Sequence, residues 1–371
     1  MALISEQELG PELRRSYPEL AAVSEVASDP VYLVGGAVRD LLLGRGRADL
    51  DLVVVGDAIA LARRLGTEPV EHGRFATAKV ALAGHEVDIA TARSESYPHP
   101  GALPEVVPAA SLEADLARRD FTVNAIAIPL EDEPHLIDPH GGRADLERGV
   151  LRVLHRDSFR DDPTRAIRGA RYAARLGLEP DRETEALLRA ADLDTVSEDR
   201  REAELLRLAA EPSAPEGYRL LAEWRLLELR DGGVELARRV GELLELPLWE
   251  LRELRDRAVH AAATGAPGGE VELAGARPGR PSEGLALATA YGVVEQALAR
   301  ASGATWLDDY RRSWSKVELE IDGDDLIAAG VEEGRAVGVG LAEAKRRKID
   351  GEISGHEREL AVALEAARAA S

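Results

Sequence analysis

The sequence predicts an α/β head, a mixed sheet with helices packed on it, followed by an all-α neck, body and tail. Three observations carry this reading. Strand-like runs alternate with helix-periodic segments over the first 150 residues, strand signals almost vanish from about residue 151, and no internal repeat interrupts the progression. A chain of 371 residues is long enough for two or three packed units. The expected organisation is a helical lead-in over 1–28, a head over 29–150, a neck over 151–212, and a body and tail over 213–371.

Within the head, Val31–Val34 reads as a strand that runs through a Gly-Gly turn into a helix including Arg39–Leu43. Leu50–Val55 is a β-branched run and a second strand, after which Asp57 is placed to cap a helix over Ala58–Leu65. Strands over Ala76–Leu82 and Glu86–Ala92 are joined by a tight Ala83-Gly84 turn. In the remainder, helical periodicity marks Thr164–Leu176, Glu183–Ala191, Arg200–Ala210, Gly217–Leu229 and Gly233–Leu244. The Gly/Pro-rich stretch Thr264–Gly284 reads as a linker or long loop, before helices over Leu285–Arg300 and Glu357–Ala369.

Composition narrows the class. Hydrophobic residues at 45% with 31% charged residues describe a globular protein, and the lack of cysteine excludes disulfides and thiolate metal sites. The eight histidines are scattered without ligand spacing, which argues against zinc. No secretory signal and no run of about 18 apolar residues is found, so a cytoplasmic protein without a membrane partner is expected. A net charge of −21 disfavours a general polyanion binder, but eight arginines between Arg148 and Arg175 face only Asp157, Asp161 and Asp162. With Lys345–Lys348 as a second basic cluster, a local RNA track remains open.

The segment from Leu33 to Val55, LVGGAVRDLLLGRGRADLDLVVV, carries the sharpest chemistry. Backbone N–H groups at the Gly35-Gly36 turn can approach a phosphate chain, aided by the following helix. Asp49 and Asp51, at i and i+2 at the start of a strand, project to one side and suit a hard, oxygen-seeking dication such as Mg²⁺. Further along, Asp162 and Arg165 are three residues apart next to Pro163, which is well placed in the first turn of a helix. One reading is a capped helix with an internal salt bridge. The other is a base reader: a carboxylate accepts from the exocyclic amine of cytosine or adenine while a guanidinium donates to the adjacent ring nitrogen. Uracil and guanine present a carbonyl there and would leave the carboxylate unpaired.

These blocks resemble the class II tRNA nucleotidyltransferase and bacterial poly(A) polymerase family, whose head carries GG-x-VRD followed by D-x-D. Glu86–Arg93 resembles the family's next strand and makes Asp88 the third acid. Arg118-Arg119-Asp120-Phe121-Thr122-Val123-Asn124-Ala125 matches the RRDFTxNA motif, and Phe159–Arg168 matches the Glu-Asp-x-x-Arg segment that serves the family as an amino-acid template for CTP and ATP. Here Asp161 replaces the Glu. Val196–Leu205 resembles a neck motif in which Asp199 replaces a Glu, and in which Arg200 either touches the nucleotide or braces the template helix. Asp322–Leu326 and Gly334–Gly338 resemble the family's tail.

The resemblance implies a polymerase-beta-like head and two Mg²⁺ ions on Asp49, Asp51 and Asp88. It implies nucleotide binding by Gly35, Gly36, Arg39, Arg119, Asp120, Asn124, Asp162, Arg165 and Arg168, with Arg119 and Asp120 on sugar and phosphate. Arg171, Arg175 and Arg200 are candidates for RNA contact. The implied activity is addition of CCA, or part of it, to the tRNA 3′ acceptor end from CTP and ATP, with nucleoside triphosphates and tRNA as partners and no DNA. Poly(A) synthesis and CC-only or A-only addition stay open, because Tyr97–Pro104 lacks the acid and arginine of the loop that CCA-completing members tend to carry there. A non-catalytic RNA-binding descendant should have lost a metal carboxylate or the RRDFT block, and neither is lost.

Overall fold

A computed structural model describes residues 3–65, 70–72, 77–250, 252–265 and 269–370. The chain divides into two compact units, 1–228 and 229–371. The regions expected as head and neck both lie in the first.

Two helices lead in, α1 (Glu6–Ser16) and α2 (Leu20–Val26). The head is built on β1 (Val31–Val34), β2 (Leu50–Val54), β3 (Val70–His72), β4 (Thr77–Leu82), β5 (His85–Thr91) and, later, β8 (Ala127–Pro129). They form one sheet in the order β3-β4-β5-β2-β1-β8, and the expected Ala76 lies outside the described residues. The sheet is mixed, as anticipated. β2 runs parallel to β5 while β1 is antiparallel to β2 and β8, and β4 is antiparallel to β3 and β5. Ala83 and Gly84 both take positive φ, 49° and 81°, the geometry of a two-residue hairpin whose twist matches its strands.

Helices α3 (Gly36–Leu42) and α4 (Ala58–Arg64) follow β1 and β2, and Asp57 caps α4 by accepting from the Ala60 amide at 2.9 Å. β6 (Arg93–Ser96) and β7 (Glu105–Pro108) pair as an antiparallel arm, and α5 (Leu112–Ala117) follows it. Val34, Val53, Ala92, Leu116 and Ala127 close the core beneath them.

The sheet is followed by α6 (Gly142–Arg148), the short parallel pair β9 (Val150–Leu151) and β10 (Glu179–Pro180), α7 (Ser158–Asp161) and α8 (Thr164–Leu176). Then come α9 (Arg182–Arg189), α10 (Glu198–Ala209) and α11 (Ala214–Glu223). The expected bounds of α8 are met because its pattern is unambiguous: Ala166, Ile167, Ala170, Ala173 and Leu176 are buried while Arg168, Arg171 and Arg175 are partly exposed on another face.

The second unit is helical: α12 (Gly233–Leu243), α13 (Arg255–Thr264), α14 (Gly269–Gly275), α15 (Pro281–Thr289), α16 (Val293–Ala301), α17 (Trp306–Arg312), α18 (Gly323–Ala328), α19 (Arg335–Ile349) and α20 (His356–Ala369). Two expectations need correction. Thr264–Gly284 is not a linker, since it contains α14 and the start of α15; residues 266–268 of it lie outside the described residues. Leu273 is fully buried and Glu270, also buried, pairs with Arg230 at 3.1 Å, so tertiary anchoring overrides the Gly/Pro content. Leu285–Arg300 is two helices, broken where Tyr291-Gly292 separates α15 from α16.

Candidate active site

Residues of β1, β2, β4 and β5, of the arm and of α8 line a cavity of about 870 Å³. Gly35, Gly36, Arg39, Asp49, Asp51, Asp88, Arg119, Asp120, Asn124, Asp162, Arg165, Arg168, Arg171 and Arg175 all line it. Asp161 and Arg200 do not. Asp161 borders a smaller neighbouring cavity of about 230 Å³ together with His155.

Alternation along β2 buries Leu50 and Leu52 and leaves Asp51 exposed to the cavity, with Asp49 exposed two residues earlier. The parallel pairing of β2 with β5 sets Asp51 beside Asp88. Desolvation by the cavity walls pushes the Asp51 carboxyl above its ordinary range, and Asp88 and Asp49 push it the same way against the pull of Arg119. Carboxylate oxygens of this kind suit a hard dication better than a soft one. Asp88 already has a cation, because the Lys79 ammonium lies 3.3 Å from it and also pairs with Glu86. Among the described residues, no three His, Cys, Asp or Glu side chains gather as a ready-made metal cage.

At the β1–α3 junction Gly35 has φ +69°, and a Cβ there would fall 2.6 Å from Arg119 Nη1. The glycine therefore lets the Arg119 guanidinium lie against the turn. Arg119 is tethered by Nη2 to Asp115 at 3.1 Å, while its buried Nε has no partner. Asp115 also takes Arg118 at 2.7 Å, and these two guanidiniums overcome its burial and hold its carboxyl below the ordinary range.

Asp120, only 4% exposed, is the most heavily committed acid of the site. One oxygen accepts from the Phe121 amide at 2.8 Å and from Asn124 Nδ2 at 2.9 Å, and the other from Arg168 Nε at 2.9 Å and Nη2 at 2.7 Å. Burial alone would raise its pKa; Arg168 and these hydrogen bonds outweigh burial and hold it at about 2. The expected sugar contact of Asp120 meets a carboxylate whose oxygens are both occupied. In this arrangement it holds Arg168 and Asn124. Asn124 in turn accepts from Arg39, which is buried and stacks over Tyr172 at 5.3 Å.

Asp162 and Arg165 share the cavity but form no salt bridge with each other. Asp162 accepts from the Thr164 amide at 3.1 Å and its hydroxyl at 2.6 Å, which starts α8, and from Arg200 at 3.0 Å. Arg165, 6% exposed, donates to Ser158 Oγ at 2.8 Å, to the Arg118 carbonyl at 2.8 Å and to the Tyr97 hydroxyl at 3.2 Å. The helix cap is present and the internal salt bridge is not, because better placed acceptors claim the guanidinium. Arg200 braces: it ties Asp162 to the Gly101 carbonyl, at 2.8 Å, outside the cavity.

The other basic candidates are partly neutralised. Arg175 pairs with Asp40 at 2.6 Å, and both Arg171 and Arg175 approach Glu211. In Lys345–Lys348, Arg346 and Arg347 pair with Glu343, and Lys348 with Glu320 and Glu359.

Sequence reasoning passed over Glu95 and Tyr97. Arg93, Glu95 and Tyr97 stand at i, i+2 and i+4 and all line the cavity, so the period of two held the signal.

The sequence pattern of the Poly A polymerase head domain family matches residues 31–152. The CC-adding tRNA nucleotidyltransferase of Deinococcus radiodurans is 35% identical over 342 residues, 88% of this chain and 87% of that protein. The A-adding tRNA nucleotidyltransferase of Aquifex aeolicus is 50% identical over 166 residues, 43% of this chain, and the match spans only 20% of that longer relative. Among solved structures, a CCA-adding enzyme in complex with ATP superposes with a TM-score of 0.77 at 26% identity, covering 98% of this chain and 99% of that one. The Thermotoga maritima CCA-adding enzyme complexed with tRNA gives 0.70 at 27% identity, covering 98% and 99%.

Proposed function

The chain belongs to the tRNA nucleotidyltransferase family, and from that premise we propose that it extends the 3′ end of tRNA with CCA, in whole or in part, from CTP and ATP. The observation that carries the reading is one cavity that joins Asp49 and Asp51, the Gly35-Gly36 turn, Arg119 and the pair Asp162 and Arg165. Likeness to a CCA-adding enzyme solved with ATP and to another solved with tRNA supports both substrate classes.

The reaction is attack of the tRNA 3′-hydroxyl on the α-phosphate of the nucleotide, with pyrophosphate as leaving group. Asp49, Asp51 and Asp88 would hold two Mg²⁺ ions, which, when bound, favour deprotonation of the attacking hydroxyl and neutralise the leaving pyrophosphate. The chain's own groups do the rest. Backbone N–H groups at Gly35-Gly36 and the Arg119 guanidinium meet the triphosphate. Arg168 and Asn124, set by Asp120, face the nucleotide, and Arg171 and Arg175 continue that wall towards the RNA. Asp162 accepts from the exocyclic amine of C or A while Arg165 donates to the ring nitrogen beside it.

Addition of cytidines alone is the second reading. The Deinococcus relative, matched over most of its length, is CC-adding, and Tyr97–Pro104 lacks an acid and an arginine. Transcripts ending before CCA, after C and after CC, each offered CTP or ATP with Mg²⁺, separate the outcomes. Incorporation on all three that halts after A supports full CCA addition, and incorporation only on the first two supports CC addition. Long A tails point to a poly(A) polymerase, and an inert protein refutes the reading.

A further inference from the structure

The arm formed by β6 and β7 reaches from the reaction centre to the base reader. It leaves β5, which carries Asp88, and its first strand ends beside Tyr97, whose hydroxyl lies 3.2 Å from Arg165 Nη2. We propose that Tyr97 is a positioning residue for base selection, holding the Arg165 guanidinium at the angle at which it meets the incoming base. This rests on the assignment of Asp162 and Arg165 as base readers.

Arg165 has five N–H donors in a rigid fork. Three hydrogen bonds to Ser158, the Arg118 carbonyl and Tyr97 take one Nη1 proton and both Nη2 protons, leaving Nε–H and the second Nη1 proton. Ser158 stands in the neck beside Arg165, whereas Tyr97 comes from the arm, 68 residues away in sequence. Its ring also lies beneath the guanidinium, 5.8 Å from centroid to Cζ, so two contacts fix both plane and rotation. The same ring face is thereby taken, which argues against Tyr97 as a stacking platform for a base.

Tyr97 is itself held. Its hydroxyl donates to Glu95 at 3.1 Å, and Glu95 is clamped by Arg118 at 2.7 Å and Arg93 at 3.2 Å. Burial pushes the Tyr97 hydroxyl up to about 12, so it stays protonated, donating to Glu95 and accepting from Arg165 throughout the working range. Beyond Tyr97 the chain is pinned at Gly101, where φ is +70° and a Cβ would fall 2.2 Å from the Thr195 carbonyl oxygen. Arg200 donates to the Gly101 carbonyl and to Asp162. One segment therefore steadies both readers, Arg165 through Tyr97 and Asp162 through Arg200.

The test compares wild type, Tyr97→Phe and Tyr97→Leu on a transcript ending before CCA, with CTP, ATP, UTP and GTP offered singly. Tyr97→Phe keeps the ring and removes the hydroxyl. The CTP-over-UTP ratio of kcat/KM is expected to fall about tenfold, the worth of a hydrogen bond to a charged group, in a variant that circular dichroism shows to be folded. Tyr97→Leu, which loses the ring as well, should lower the ratio further. A ratio within about twofold of wild type in Tyr97→Phe, or an equal loss of kcat/KM for every nucleotide, overturns the inference. An active, selective wild type with an unchanged ratio in the variant overturns this inference alone. A wild type inert with all four nucleotides both on this transcript and on one ending after CC overturns the proposed function and this inference with it.

Discussion

Replacing Asp120 by asparagine keeps the shape of the side chain and removes the charge that faces Arg168. The folded carboxyl sits at about 2, against about 3.9 in an unfolded chain. A difference of about two pKa units corresponds to about 2–3 kcal/mol of stability at neutral pH. The geometry agrees with that size: Asp120 is buried but the Arg168 side chain is 37% exposed, so the penalty should fall below the roughly 3–5 kcal/mol of breaking a wholly buried pair. Because the folded pKa is depressed, this stability is fully present above the unfolded value near 4 and is lost as pH falls through about 2. Urea unfolding of Asp120→Asn and wild type, followed in the transition of the first unit, should differ by about 2–3 kcal/mol at pH 7. The gap should hold down to about pH 4 and close below it. A difference under about 0.5 kcal/mol at pH 7, or one that does not shrink in acid, would refute the assignment of Asp120 as the anchor of Arg168.

Two further changes probe other parts of the cavity. Asp162→Ala should reduce the preference for CTP and ATP over UTP and GTP by about tenfold or more, measured as ratios of kcat/KM, and unchanged selectivity would contradict its role as base reader. Gly35→Ala places a Cβ 2.6 Å from Arg119 Nη1 at a φ of +69°, so Arg119 must move. Folding should weaken by about 1–2 kcal/mol from backbone strain while the KM for nucleotides rises severalfold, and an unaltered KM would show that Arg119 does not meet the triphosphate.

Much of the head was legible because its signals are local. Strand β1, the Asp57 cap, the Ala83-Gly84 turn and the whole of α8 follow from short-range pattern and turn chemistry. Asp51 on β2 and Asp49 just before it both line the cavity, where the alternation of a strand led them to be expected. What the sequence could not disclose is competition among partners. Asp162 and Arg165 have the spacing of a salt bridge, yet Arg165 turns to acceptors at residues 97, 118 and 158, and Asp162 to Arg200. Asp120 reads as an open carboxylate in a motif, and only the fold brings Arg168 onto it from 48 residues away. Helix α14 was hidden because glycine and proline in its flanks outweighed the few side chains, such as Leu273, that anchor it.

The central claim is that Asp49 and Asp51 form the reaction centre of a nucleotidyl transfer, and single-turnover incorporation tests it most directly. Wild type, Asp49→Ala and Asp51→Ala are each mixed with Mg²⁺, radiolabelled CTP and a tRNA transcript ending before CCA, with circular dichroism as the check on folding. The rate is expected to fall about a thousandfold or more in each folded variant. Incorporation by either folded variant within about tenfold of wild type would contradict the claim.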